Sequence, residues 1–156
     1  MKLVKRVGTN WWYELDWNEV NLLTLLLKQF PFNELDPVKL SKTDEEPKAK
    51  EREKLLNESL VEHRKELEEA AANLLNPEKF KAQGNGMVMK LNAEEREMLL
   101  QILNDTRVGC WHTLGKPDSL EPQSPNLTVR EQSHYGLMTL AGYFEHSLLA
   151  PGKTNS

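Results

Sequence analysis

Three times along this chain, a polar residue suited to a helix N-cap is followed three positions later by glutamate. The pairs are Asp16 with Glu19, Asn92 with Glu95, and Thr128 with Glu131. In such a capping box the first side chain accepts from an early backbone N–H, and the glutamate reaches back to the N-cap N–H. Each box therefore marks where a helix begins, and the marks divide the chain. A first helix is predicted from Asp16 to about Gln29. Phe30-Pro31 ends it, because a residue before proline is pushed out of the helical region. A second starts at Pro47, whose missing N–H costs nothing in a first turn, and runs to Leu75. The third runs from Asn92 to a stop at Gly115, and the last from Thr128 to Leu149.

Apolar periodicity assigns the faces. Leu22, Leu23, Leu25, Leu26 and Leu27 cover most of the first helix, which is read as the central buried one, with Leu25 breaking its polar strip and facing solvent or a partner. The second carries a seam of Leu56, Leu60, His63, Leu67, Ala70 and Leu74 opposite a charged face. Leu99, Ile102 or Leu103, Thr106, Cys110 and Leu114 form the stripe of the third. Ser133, Leu137, Leu140, Phe144 and Leu148 form that of the fourth. Gly136 and Gly142 each cost about 1 kcal/mol against alanine inside a helix, which close approach of a neighbouring backbone would offset.

Strands enter at two places. Leu3 to Val7, the Gly8-Thr9-Asn10 turn and Trp11 to Leu15 read as a hairpin, and Met87 to Leu91 as a third strand that could join it. Pro77 to Gln83 reads as a short turn. No internal repeat at a fixed period is legible. The fold expected is mainly α: a four-helix bundle-like domain over residues 1–150 with a small N-terminal antiparallel β-ribbon, possibly of three strands, and a tail at 151–156.

Composition narrows function by exclusion. The net charge of -4 argues against a nucleic-acid partner. No apolar run approaches the ~20 residues that span a bilayer, so no membrane partner is expected. The basic start lacks the apolar stretch of a signal peptide, and the reading is cytoplasmic. The lone Cys110 allows no internal disulfide.

The segment Leu103-Asn104-Asp105-Thr106-Arg107-Val108, in a helix ending Thr113-Leu114-Gly115, resembles the signature of a bacterial family catalogued as domain of unknown function two-thousand-and-seventeen. The Leu91-Asn92-Ala93-Glu94-Glu95 lead-in, and the closing run from Tyr135-Gly136-Leu137 to Glu145-His146-Ser147-Leu148, are similar to that family's. The resemblance implies a small, mostly helical domain and no reaction, because the family has none assigned.

Residues able to carry chemistry are few. Asn104 and Arg107 are three apart and share a helix face, while Asp105 points about 100° away. They could recognise a peptide or carboxylate through the Arg107 fork. Equally they could be structural, with Arg107 paired to an acid on the second helix. Glu131 and His134 have the spacing of half a di-iron motif, without the second pair such a site needs. His112 lies roughly 200° from Cys110 and cannot serve it as a base. The concentration of Trp11, Trp12, Tyr13 and Trp17 is the least ordinary feature. Alternation puts Trp12 on the opposite face from Trp11 and Tyr13, as an interface anchor or as part of a lid over the core.

No cofactor or metal is expected. The leading reading is a non-catalytic protein-interaction or regulatory module, with Asn104, Asp105, Arg107, Trp12 and Leu25 as binding residues and a protein partner or a homodimer. The alternative is a small-molecule or metal-dependent enzyme using Arg107, Asp105, His112 and His134.

Overall fold

The computed structural model describes residues 1–32, 47–119 and 126–152. Two hairpins meet in one antiparallel sheet of β1 (Lys2–Val7), β2 (Asn10–Asp16), β3 (Phe80–Gln83) and β4 (Gly86–Asn92), in the order β1-β2-β4-β3. Helices α1 (Trp17–Gln29), α2 (Pro47–Leu74), α3 (Ala93–Thr113) and α4 (Val129–Leu149) complete the fold. This corrects the expectation of a mainly-α bundle built around the first helix. The sheet is a full layer of the core: Tyr13, Leu15, Met89 and Leu91 are wholly buried among residues of all four helices. The strand that sequence reading missed is β3. Its Phe80-Lys81-Ala82-Gln83 is a short edge segment whose outward residues are polar, so it lacks an apolar run to announce it. Nor is α1 central. Leu23, Leu26 and Leu27 are buried, but Leu22 and Leu25 are 39% and 44% exposed.

The strand order reads the same from either edge, and the sequence follows it. An offset of 76 positions, Asp16 to Asn92, relates the two hairpins and the helices after them. Both turns carry a glycine with positive φ, Gly8 at 58° and Gly84 at 57°. Both seven-residue inner strands end in the N-cap of the next helix, and both capping boxes close fully. The buried residues superpose on the same offset: Leu15 with Leu91, Leu23 with Leu99, Leu26 with Ile102, Leu27 with Leu103, Phe30 with Thr106. The central pairing runs from Asn10 opposite Asn92 to Asp16 opposite Gly86, with Tyr13 opposite Met89 at its midpoint. The fold thus holds two ββα units about a local two-fold axis, an internal repeat of short signals rather than of repeated words. A bulge between Leu3 and Lys5 perturbs one outer strand: it brings Leu3, in place of Val4, opposite Tyr13.

The two halves part after this shared unit. Pro31 ends α1, whereas α3 carries Arg107 at the matching position and continues to Thr113. The extended α3 packs along α4. At the junction of strands and helices, Gly86 lies so close to the Leu15 carbonyl that a Cβ there would overlap it.

Helix faces differ from expectation in particular turns. The α3 stripe holds, with Leu99, Ile102, Leu103, Thr106 and Cys110 buried. In α2 the inward line passes through Arg64 and Ala71; His63 is exposed, 3.8 Å from Glu66. Arg64 tolerates that line because its guanidinium lies 6.0 Å from the Phe30 ring and donates to Asp105 at 3.4 Å. In α4 the line is His134, Met138, Ala141, Phe144 and Leu148, and Ser133 is exposed. Thr128 Oγ1 accepts from the Glu131 N–H at 3.1 Å, which supplies that arm of the third capping box. Among the described residues, no backbone crowds the α4 glycines: nothing lies within contact of a Cβ on Gly136, and one on Gly142 would meet only the Arg107 Cδ, at 3.8 Å.

Candidate functional site

The helices pack on one face of the sheet, and among the described residues none covers the opposite face, whose residues follow from register. Lys5 of β1, Trp12 of β2 and Lys90 of β4 form one cross-strand row. Lys2, Glu14, Val88 and Lys81 form the next. Trp12 is half-buried, with the Lys5 ammonium 4.9 Å and the Lys90 ammonium 5.4 Å from its ring centre. Such contacts are worth roughly 0.5–1 kcal/mol each at exposed sites, so the indole holds two cations in place. Beside Lys90 a cleft of about 260 Å³ is lined by Asn10, Glu78, Lys79, Asn92 and Glu95. Lys79 is paired with Glu95 across it.

The local two-fold axis shows what the fold requires of this face. It maps the row Lys5, Trp12, Lys90 onto Lys81, Val88, Glu14. The second row has a valine at the centre and one lysine facing one glutamate, and it serves the same backbone pairing. Neither the indole nor the second lysine of the first row is therefore demanded by the sheet.

Trp11, on the inner face, has Arg6 and Arg96 4.7 and 5.2 Å from its ring centre. Arg96 also donates from Nε to Tyr13 Oη at 2.9 Å and from Nη2 to the Leu148 carbonyl at 2.8 Å. Trp11 and Tyr13 thus join the core and its polar lock, as alternation predicted, while Trp12 stands apart from them.

The other predicted binding residues do not converge. Asn104 is exposed. Asp105 turns to Arg64 on α2. Arg107 donates from Nη1 to Glu145 Oε2 at 2.8 Å, so its acid lies on α4 and not on the second helix as expected. Leu25 is exposed on α1 beside Leu22, one turn away. The helices carrying these four lie on the opposite side of the sheet from the Trp12 row.

The side chains of the enzyme reading are also dispersed. His134 is buried with its ring edge-on to Phe32, centroids 4.7 Å apart, and burial together with Arg130 holds its pKa below the usual value. His112 meets the neighbouring Trp111 ring edge-on at the surface. Burial pushes the Cys110 thiol up to about 11, away from the thiolate a nucleophile needs. Among the described residues, no group of three or more His, Cys, Asp or Glu side chains is placed to hold a metal ion. None of the described helices is long and apolar enough to cross a membrane.

Sequence reading found Trp12 but missed Lys5 and Lys90. Lys5 was within reach, because a two-residue turn at Gly8-Thr9 places position 5 opposite position 12. Lys90 depends on β2 pairing with β4, a long-range choice that no local pattern dictates. Comparison of the chain with family models, curated proteins and solved structures finds no match.

Proposed function

We propose that the protein is a non-catalytic interaction module whose contact surface is the open face of the sheet around Trp12. The observation that carries this reading is the difference between the two related rows. Where one half keeps a valine between a lysine and a glutamate, the other sets a tryptophan between two lysines. Tryptophan is the residue most enriched at binding hot spots, and a half-buried indole flanked by fixed cations has the composition of an interface centre. The scattering of Asp105, Arg107, His112 and His134 supports binding over catalysis, since acid–base work needs groups within hydrogen-bond reach of one another.

The test compares the native chain with the double variant Trp12→Ala, Lys90→Glu as bait. Matched melting temperatures, with a protein retained reproducibly by the native chain and lost by the variant, are expected. Identical retained sets would remove the reading. So would a loss of more than a few degrees in melting temperature, which would make Trp12 a structural residue.

A further inference from the structure

The chemistry of the open face narrows the partner, on the premise that this face is the contact surface. Four lysines, Lys2, Lys5, Lys81 and Lys90, point from it, against Glu14, the capping residue Asp16 and Glu78 at the cleft beside Lys90. The face is thus cationic on a chain whose net charge is -4. An anionic partner gains from the paired lysines of the Trp12 row.

The kind of anion also follows. Phosphate recognition favours the planar arginine fork, and both arginines nearest the sheet, Arg6 and Arg96, are committed to Trp11. What the outer face offers are ammonium groups. Single-stranded nucleic acid needs stacking platforms for successive bases, and this face has one indole with Val88 at the related position. We infer that the face around Trp12 binds an acidic, extended segment of a partner protein, with carboxylates on Lys5 and Lys90 and an apolar side chain over the indole.

Spacing gives that segment a pattern. Neighbouring strands lie about 4.8 Å apart, so the backbones at Lys5 and Lys90 are separated by about 10 Å across β2. An extended chain advances ~3.3 Å per residue, so four positions cover about 13 Å, a span the flexible lysine stems can match. Only residues an even number apart share a face of an extended chain, so two acidic residues four positions apart, with an apolar residue midway between them, match both ammonium groups and the ring.

The experiment titrates the full-length chain with a blocked peptide carrying two glutamates four positions apart, with leucine midway between them, and follows it by two-dimensional NMR. Saturable shifts centred on Lys5, Lys90 and the Trp12 indole N–H are expected. Lys5→Glu and Lys90→Glu should each weaken binding about tenfold or more, Lys5→Gln and Lys90→Gln less, and added salt should weaken it further. Equal binding of the same peptide with glutamines would overturn the inference, because charge would not be read. Tighter binding of single-stranded oligothymidylate would overturn it in favour of nucleic acid. A dimer seen by light scattering and dispersed by Lys5→Glu would overturn it in favour of a second copy. Absence of peptide binding, with a bait difference that still depends on Trp12 and Lys90, would remove the acidic segment and leave the interaction face standing.

Discussion

Tyr13 and Met89 face each other at the midpoint of the central strand pair, both fully buried, and the local two-fold axis passes between them. They occupy equivalent places, yet only Tyr13 carries a polar atom, and Arg96 answers it. Met89→Ala is expected to cost about 2–5 kcal/mol, the range for a large-to-small change in a packed core. Tyr13→Phe keeps the volume but removes one acceptor from Arg96, so about 1–3 kcal/mol is expected. Urea unfolding with an unchanged slope checks both.

Gly136→Ala should stabilise the protein by about 1 kcal/mol. The added methyl meets nothing, and the gain is the backbone entropy that glycine loses in a helix. Gly142→Ala should gain slightly less, since its methyl touches the Arg107 stem. Thermal unfolding of each variant checks this, and a loss at Gly136 would mean that α4 is covered there.

Arg107 pairs with a Glu145 whose side chain is 13% exposed, while its own is 48% exposed. Arg107→Ala leaves that carboxylate with less compensation, and about 1–3 kcal/mol of stability should go with it. The Glu145→Gln, Arg107→Ala double variant should recover part of the loss, because the stranded charge is gone. A double-mutant cycle reads the coupling directly.

His134 gives the fold a defined pH response. Its pKa is lowered in the folded protein, first by burial and then by Arg130, so the unfolded chain takes up this proton at higher pH than the folded one does. The stability it supports is complete above the ordinary histidine value of about 6.5 and falls as pH drops through that value, levelling off below the folded pKa. His134→Phe should flatten this part of a stability curve measured between pH 5 and 8. Retention of the full slope would assign it to other groups.

Much of the helical half of this fold was legible because its signals are local. Asp16 and Asn92 announce their helices within four residues, and the Leu99 to Cys110 stripe needs only one helix's periodicity. The sheet was harder. Phe80 to Gln83 becomes a strand only because Gly86 to Met89 pair with it across Gly84-Asn85, and nothing in its own four residues requires that. The repeat escaped for a related reason: Tyr13 and Met89, or Phe30 and Thr106, are equivalent in position but not in chemistry. Trp12 was visible as an oddity. Its meaning depended on Lys90, a residue 78 positions away in sequence and adjacent in space. Arg64 and His63 show the limit of periodicity itself, since adjacent positions on a helix both fit a loose seam, and only the presence of Asp105 on α3 settles which turns inward.

The symmetric strand order has a consequence for assembly. Each ββα unit presents its inner strand to the other, and β2 meets β4 through backbone hydrogen bonds that any second chain can offer equally well. Two chains that open along this seam can exchange halves and restore every pairing in a swapped dimer. Crowded refolding should favour that species, and dilution should favour closure of each chain on itself.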